Sequence, residues 1–370
     1  MTIIIKPTFN CNFRCSYCYL TNNVKSDILI MNYKDAETLI SQVVTFCKKN
    51  SRRRLTIIWH GGEPLLWGIE NYRSIFAFAA QLTDDIRIRH CLQTNLSLIN
   101  EDYIDLFKKY NVKIGFSLDG PKDINDRYRK RIDGRGTFDT IIRNLYKCRD
   151  AGLNVGAIVV ASSVLKNRIP ELYRFICEYK LNFKFNPLFL AGEASNCQNS
   201  SLSPLEYAQM SNELFDLWFF DKEHHIKEST FEDIASAFLT ENKITKGCMF
   251  SRNCQDNFLA ISPHGDVFPC GRFCDTDTTY SYGNINEEPL EIILKRRKDS
   301  AQYKRAEFIG EVGCKDCSFF DICHGGCLHD GYLNGGNFES KTFLCAAYKL
   351  IFGHIRNRVQ NYLVPYYNSN

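Results

Sequence analysis

Short apolar runs alternate with longer amphipathic stretches through the first half of the chain. The apolar runs are rich in Ile, Val and Phe, as buried strands are, and cover 2–6, 55–59, 87–93, 113–118, 154–160 and 183–188. The stretches between them have helical apolar spacing and cover 33–49, 70–82, 101–109, 138–151 and 169–179. Repeated strand–helix units predict parallel strands with right-handed crossovers. We therefore expect an α/β fold, a partial (β/α)6 TIM-like barrel, with functional residues at the carboxyl ends of its strands.

The pattern changes after the sixth unit. A helical stretch at 204–220 is followed by a polar connector, and the final third is Gly-punctuated with little apolar periodicity until a predicted helix at 342–363. Such a segment needs help from bound metal to fold. We expect a barrel at 1–220, a connector at 221–247 and a metal-stabilised C-terminal domain at 248–370.

Charge and hydropathy exclude several classes of protein. The net charge of the 370 residues is +4, and the basic clusters 52–54 and 295–298 are typical of solvated surfaces. No apolar run reaches the roughly 18 residues of a membrane span, and the first ten residues lack the features of a signal peptide. We expect a cytoplasmic protein that binds neither nucleic acid nor membrane.

The cysteines change this picture most. There are 17, an odd number that is high for a chain without a secretion signal, and metal binding explains them better than disulfides. Three lie within 11–18, five stand singly, and nine fall between 248 and 345.

The first group is Cys11, Cys15 and Cys18, a C-x3-C-x2-C loop directly after the first predicted strand. Three thiolates can hold three irons of a [4Fe–4S] cluster and leave the fourth iron open to an exogenous ligand. A disulfide or a zinc site is the alternative, but structural zinc normally takes four protein ligands.

This loop resembles the signature of the radical S-adenosylmethionine (SAM) superfamily, in which an aromatic residue, here Tyr17, precedes the last cysteine. The resemblance continues at the ends of later strands, with a His-Gly-Gly-Glu-Pro segment at 60–64 and polar residues at 93–95 and 117–119. It implies a SAM site made by Tyr17, Gly61, Gly62, Glu63, Gln93, Asn95, Ser117, Arg129 and Asn186. For Arg129, a charge on a helix surface is the alternative interpretation.

Eight cysteines of the last third have patterned spacing: Cys248, Cys254, Cys270, Cys314, Cys317, Cys323, Cys327 and Cys345. They suit two fully ligated [4Fe–4S] clusters or two four-cysteine zinc sites, and spacing alone does not separate these. The array resembles the SPASM domain of radical SAM maturases. That resemblance implies an auxiliary cluster I on Cys248, Cys254, Cys270 and Cys327, and an auxiliary cluster II on Cys314, Cys317, Cys323 and Cys345. Cys274 is then a spare thiol or a substitute ligand.

The resemblance implies three [4Fe–4S] clusters and SAM as cofactors, reductive cleavage of SAM to a 5′-deoxyadenosyl radical, and hydrogen abstraction from a peptide or protein. In anaerobic sulfatase maturases, an Asp after the third cysteine of auxiliary site I serves as the base. Gly271 stands there in this chain, which leaves Asp119 and Asp275 as candidate bases.

We expect a C–C or thioether crosslink in a ribosomally made peptide, because 60–66 and 117–136 resemble cyclophane-type peptide maturases. The first alternative is an anaerobic sulfatase maturase, which oxidises Cys or Ser to formylglycine. The second is a non-enzymatic zinc or electron-carrier protein. As partners we expect a flavodoxin or ferredoxin as electron donor and a separate leader-binding protein.

Overall fold

The structure is a computed structural model that describes residues 1–20, 30–82, 85–240, 245, 247–311 and 313–363. Strands and helices alternate through its first part, as the apolar pattern predicts. They are β1 (Thr2–Ile5), α1 (Tyr33–Lys49), β2 (Arg54–Trp59), α2 (Ile69–Gln81), β3 (Arg87–Thr94), α3 (Glu101–Lys109), β4 (Lys113–Ser117), α4 (Lys122–Tyr128), α5 (Phe138–Asp150), β5 (Val155–Ala161), α6 (Ile169–Glu178), β6 (Phe183–Pro187) and α7 (Pro204–Phe219).

Strands β1 to β6 form a parallel sheet in which neighbours along the chain are also neighbours in space. The pairing places apolar residues side by side, for example Ile3 opposite Ile57 and Phe116 opposite Ala157. Because the six strands run in one direction, their carboxyl ends open on one rim, where loops can carry a site. The expected partial barrel is confirmed.

The later part of the chain consists of shorter elements. They are α8 (Ser229–Leu239), β7 (Phe258–Ile261), β8 (Val267–Phe268), α9 (Leu290–Arg297), α10 (Ala301–Phe308), α11 (Phe320–Cys323), α12 (Leu328–Gly335) and α13 (Cys345–Arg358). Helix α8 lies inside the connector that we expect at 221–247, of which 241–244 and 246 are outside the described residues.

The barrel sheet continues into this later part. Strand β7 pairs in parallel with β1, with Thr2 opposite Phe258, and β8 pairs antiparallel with β7. The result is one eight-stranded sheet in the order β6-β5-β4-β3-β2-β1-β7-β8. Our sequence analysis does not predict these two strands, which lie in the Gly-punctuated, cysteine-rich third where no strand–helix repeat points to them.

Helix ends follow ordinary capping chemistry. Helix α7 begins with a capping box in which the Ser203 hydroxyl accepts from the Glu206 backbone N–H while the Glu206 carboxylate accepts from Ser203, and Pro204 occupies the first turn. At the other end of the chain, α13 packs against α7. There Arg358 donates to both carboxylate oxygens of Asp216 at 2.9 and 2.7 Å, so the last helix is tied to the barrel.

Among the described residues, the helices are all too short or too polar to cross a bilayer.

Candidate active site

The first cysteine loop follows β1 and is pinned to the segment after α4. The backbone N–H of Arg14 donates to the Lys130 carbonyl at 2.7 Å, and that of Ser16 donates to the Tyr128 carbonyl at 3.0 Å. The loop therefore has a fixed path, and its three thiols lie close enough to influence one another's ionisation.

Burial and mutual repulsion disfavour the free thiolates of this loop. Burial raises the pKa of Cys11 and Cys18 and raises that of Cys15 to about 11, and Cys18 adds to the rise at Cys15. A bound cation reverses this preference, since a coordinating thiol is deprotonated. Three partly buried thiols that lie close together thus fit the three-thiolate cluster that the sequence predicts.

The Gly-Gly-Glu segment after β2 packs directly on the same loop. A Cβ on Gly61 would lie 2.2 Å from the Thr8 carbonyl oxygen, and one on Gly62 would lie 2.3 Å from that of Asn10. The missing side chains let the Gly62 N–H donate to the Thr8 carbonyl at 3.0 Å and the Glu63 N–H to the Asn10 carbonyl at 2.8 Å. The glycines are therefore required for contact between this segment and the loop.

Glu63 joins the ends of β2 and β3. Its fully buried carboxylate accepts from the Leu65 N–H at 3.1 Å, the Thr94 hydroxyl at 2.7 Å and the Asn95 N–H at 2.8 Å. Burial raises its pKa to about 7, although these three hydrogen bonds oppose the rise. Within the chain, Glu63 holds the rim together.

The other predicted SAM residues lie at neighbouring strand ends. The Asn95 amide donates to the Asn12 side chain at 2.8 Å and approaches the Cys11 thiol at 3.8 Å, so it contacts the cysteine loop. Gln93 on β3 donates to Ser117 on β4 at 3.5 Å. The Asn186 side-chain oxygen on β6 is buried without a hydrogen-bond partner among the described residues, as expected of a group that awaits a ligand.

Tyr17, Asp119 and Arg129 form one buried unit. Arg129 donates Nε and Nη2 to Asp119 at 2.9 and 3.1 Å, the Tyr17 hydroxyl donates to the same carboxylate, and Val160 N–H donates to it at 3.0 Å. Burial acts to lower the pKa of Arg129, but the carboxylate of Asp119 outweighs it.

This arrangement bears on two predicted roles. Arg129 is buried in an ion pair and is not a helix-surface charge. Four donors occupy the lone pairs of Asp119, so this carboxylate has no vacant lone pair for a substrate proton. Asp275 follows the buried Cys274, is partly exposed, and lies close enough to Lys6 and Cys18 for its charge to raise the pKa of both.

The eight patterned cysteines of the last third gather in two sets of four, which we name set I (Cys248, Cys254, Cys270 and Cys327) and set II (Cys314, Cys317, Cys323 and Cys345). In set I, burial and the other three thiols raise the pKa of Cys254. In set II, the four cysteines line one cavity, closed by Phe319, Tyr348 and Phe352. Each set offers the four thiols that a fully ligated cluster requires.

Lys6 is a functional candidate that our sequence analysis does not identify. It follows β1, is fully buried, donates to the Cys274 carbonyl at 2.5 Å and lies 4.9 Å from the ring centre of Tyr19. The only signal in the sequence is a lysine at the end of a strand that is otherwise apolar. Cys274 thus anchors a buried lysine through its backbone, and burial raises the pKa of its thiol to about 12.

His60 is a second such candidate. It directly precedes the two glycines and its ring faces Tyr19. Burial, aided by the charge of Lys6, lowers the pKa of His60 to about 4, so the imidazole is neutral near pH 7. Its Nδ1 accepts from the Gly61 N–H at 2.7 Å, which leaves the proton on Nε2.

A separate polar group lies on the outer helices and is explained without metal. Cys177, Asp221 and His224 bring their ligand atoms within 4.8 Å of one another. Asp221, however, already accepts from Tyr173 at 2.6 Å, from two backbone N–H groups and from the other two side chains. This saturated carboxylate closes the end of α7.

Comparison with known proteins identifies the families that the chain matches. The radical SAM superfamily matches residues 5–176, and the iron–sulfur cluster-binding SPASM domain matches residues 248–318. A cysteine-type anaerobic sulfatase-maturating enzyme of Clostridium novyi is 29% identical over 363 residues, which are 95% of this chain and 94% of the relative. An uncharacterised protein of Methanothermobacter thermautotrophicus is 30% identical over 241 residues, or 64% of this chain and 86% of that one.

The structure of anSMEcpe with bound AdoMet and Kp18Cys peptide superimposes with a TM-score of 0.84 over 97% of this chain and 98% of that one, at 23% identity. These findings confirm the expected enzyme, with iron–sulfur clusters and SAM as cofactors, and overturn the non-enzymatic alternative. The chain belongs to the radical SAM superfamily, carries a C-terminal SPASM domain and is homologous to the anaerobic sulfatase maturases.

Proposed function

We propose that the enzyme oxidises a cysteine of a sulfatase polypeptide to formylglycine. One observation carries the proposal, the end-to-end homology to the cysteine-type maturase of Clostridium novyi. This is the first alternative of the sequence analysis, and the homology favours it over the peptide crosslink that we expected first.

The cofactors supply the 5′-deoxyadenosyl radical when SAM and the first cluster are bound. We propose that the loop at 11–18 holds this cluster and that the strand-end residues from Gly61 to Asn186 hold SAM. The chain itself positions these groups. Glu63 links the carboxyl end of β2 to that of β3 through its hydrogen bond with Asn95, and the Asp119–Arg129 pair supports the cysteine loop through Tyr17. A rim fixed in this way keeps a substrate C–H bond within reach of the radical.

The substrate is a peptide segment in this proposal, since the relatives are maturases of a polypeptide. We propose that it enters at the barrel rim between the cysteine loop and set I, a region that we call the mouth, where Tyr19 contacts Phe189. Neutral His60 and the aromatic ring of Tyr19 lie at this mouth beside Lys6. A flavodoxin or ferredoxin would reduce the first cluster, and a leader-binding protein would be needed only for a leader-dependent peptide.

Gly271 is the observation that favours a crosslink instead. The glycine stands where the sulfatase maturases carry the Asp base, and Asp119 has no vacant lone pair. If the crosslink is the true activity, the missing carboxylate is expected, because that reaction does not use this base.

The test uses the full-length protein, reconstituted anaerobically with iron and sulfide and mixed with SAM and dithionite. Two sulfatase peptides that differ only in Cys or Ser at the target position are the substrates, and Cys15→Ala is the inactive control. We expect 5′-deoxyadenosine together with the mass of formylglycine from the Cys peptide. Turnover of SAM without formylglycine on either peptide would contradict the proposal, and an intramolecular crosslink would establish the other activity.

A further inference from the structure

Arg272 connects set I to the mouth of the barrel. It lies two residues after Cys270, and its Nη1 contacts the Cys327 sulfur at 3.6 Å and donates to Asp330 at 2.5 Å. Its guanidinium also lies over Phe189, 4.2 Å from the ring centre, in the loop that follows β6. The side chain therefore touches a cysteine of set I on one side and the barrel rim on the other.

The guanidinium of Arg272 carries a permanent positive charge. An arginine guanidinium stays protonated in proteins, and Asp330 forms an ion pair with this one at 2.5 Å. Asp330 is itself fully buried, and its second oxygen has no hydrogen-bond partner among the described residues. Its carboxylate holds the guanidinium in place, and the planar guanidinium can contact a carboxylate and a sulfur at the same time.

The two sets differ in this respect. Among the described residues, no arginine side chain donates a hydrogen bond to a cysteine sulfur of set II. Arg305 lies near both sets but directs its Nη2 to the carbonyls of Gly325 and Ser340, at 3.0 and 3.2 Å. Lys341 and Arg305 place positive charge near Cys314 of set II, so what distinguishes set I among the described residues is the direct contact of an arginine with a cysteine sulfur.

We propose that Arg272, held by Asp330, raises the reduction potential of the cluster at set I above that of the cluster at set II. A reduced cluster is more negative than an oxidised one, so a cation that donates to a ligand sulfur stabilises the reduced form. Asp330 opposes part of this charge, but Arg272 Nη1 contacts the Cys327 sulfur directly at 3.6 Å, and Gly271 adds no second carboxylate next to Cys270.

The inference goes beyond the proposed function. It rests on that function only for the role that a raised potential would have in the reaction. Conversion of cysteine to formylglycine first removes two electrons and two protons to give a thioaldehyde, and water then hydrolyses the C=S bond to the aldehyde with release of hydrogen sulfide. One electron leaves with the hydrogen atom that the 5′-deoxyadenosyl radical takes to become 5′-deoxyadenosine, and the other must enter a one-electron oxidant as the thiol proton is released. A cluster of raised potential at set I is such an oxidant, and it lies beside the substrate mouth.

The test measures potentials without substrate, so its result does not depend on which peptide is modified. Cys11, Cys15 and Cys18 are replaced by Ala in the full-length protein, which leaves the two auxiliary clusters and about eight irons per chain. A redox titration followed by electron paramagnetic resonance then gives one midpoint for each cluster. The variant is Arg272→Gln, and the matched control is Arg358→Gln, which breaks an arginine–aspartate pair on the outer helices.

We expect the higher of the two midpoints to fall in Arg272→Gln by a tenfold change in the reduced-to-oxidised ratio, which is about 59 mV for one electron. A fall of the lower midpoint alone would contradict the inference. The other midpoint, and both midpoints of Arg358→Gln, should stay unchanged. Two unchanged midpoints in Arg272→Gln would overturn the inference, and so would an equal fall of both.

If Arg272→Gln loses iron, Arg272→Lys decides the question. Lysine keeps the charge and loses the planar guanidinium that holds Asp330 and Cys327 together. The proposed effect needs the donation to the Cys327 sulfur as well as the charge, so the higher midpoint should fall by less than the ~59 mV expected of Arg272→Gln. No fall, or an equal fall of both midpoints, would contradict the inference.

Discussion

At the residue scale, the buried pair of Asp119 and Arg129 is the strongest electrostatic unit behind the first cysteine loop. Their side chains are 2% and 8% exposed, so neither charge can be satisfied by water if the other is removed. Arg129 also lies 5.3 Å from the ring centre of Tyr17, which stands inside the loop. The geometry of the cluster loop therefore depends on a charge pair that contributes no predicted iron ligand.

Replacement of Asp119 by Asn is expected to destabilise the protein and weaken iron binding at the first loop. The change leaves a buried guanidinium without its counter-charge, a loss that typically costs about 3–5 kcal/mol. Urea unfolding of the iron-free protein and iron content after reconstitution are the measurements.

Asp139→Asn is the matched control, because it breaks an exposed pair with Lys122 and should leave both measurements unchanged. An Asp119→Asn variant as stable as the control would show that the buried pair does not support the loop.

The sequence reveals the cysteines and the glycines at this scale, because their chemistry leaves few alternatives. It does not reveal Lys6, Arg272 or Asp330. Their roles come from contacts with Cys274, Cys327 and Phe189, which are distant in sequence and meet only when the last third folds onto the barrel.

At the element scale, the site depends on how closely strand ends and loops approach each other. The Gly-Gly-Glu segment lies against the backbone at 8–10, where a Cβ on Gly62 would meet the carbonyl oxygens of Phe9 and Asn10 at 2.4 and 2.3 Å. Backbone atoms cannot give way as a flexible side chain can.

Gly62→Ala is therefore expected to displace the cysteine loop and remove the first cluster, leaving about 8 of about 12 irons and no 5′-deoxyadenosine. Gly156→Ala on β5 is the control, because the nearest atom to its added Cβ is 3.5 Å away. Normal iron content and SAM cleavage in Gly62→Ala would contradict the close contact.

A second element-scale contact predicts a dependence on pH. Glu228 caps α8, accepting from Phe231 N–H at 2.5 Å and from Phe185 N–H of β6 at 2.9 Å. Burial raises its pKa from 4.5 to about 7, and the hydrogen bonds only partly oppose this. The folded protein therefore holds this proton more tightly than the unfolded chain does.

The free energy of unfolding should fall as pH rises from about 4.5 to 7, by on the order of 3 kcal/mol from Glu228. In Glu228→Gln this contribution disappears, so the difference between wild type and variant should change with pH across that window. Chemical denaturation at several pH values measures it. Parallel stability curves would show that Glu228 does not titrate in this range.

The six barrel strands and helices α1, α2, α3, α5, α6 and α7 follow from apolar runs and helical spacing that repeat along the chain, whereas the seven-residue helix α4 is not predicted. The short elements of the last third do not follow from such patterns either, since β8 has two residues and α11 has four. Tertiary contacts and metal ligation decide their structure, and neither leaves a periodic trace in the sequence.

At the scale of the whole molecule, the cysteine-rich third is joined to the barrel through the sheet, through α13 and through Lys6. The two four-cysteine sets lie inside this third, where the elements are short. Bound metal is therefore expected to hold the third together, while the barrel relies on its own apolar core.

Removal of iron by anaerobic chelation should increase hydrogen exchange at 314–345 much more than in β3, β4 and β5. The reason is that the barrel strands keep their core, whereas the loops around the sets lose their crosslinks. Mass spectrometry of exchanged peptides, with and without iron, measures the effect. A uniform change across the chain would contradict a metal-dependent third.

The position of β1 between β2 and β7 has a consequence for folding during synthesis. Thr2 is translated long before its partner Phe258 on β7. The nascent chain must carry β1 with one open edge while most of the barrel is synthesised, and open strand edges invite wrong pairing. The cysteine loop begins a few residues after that edge, so its surroundings are completed only late in translation, which favours cluster insertion into the finished polypeptide.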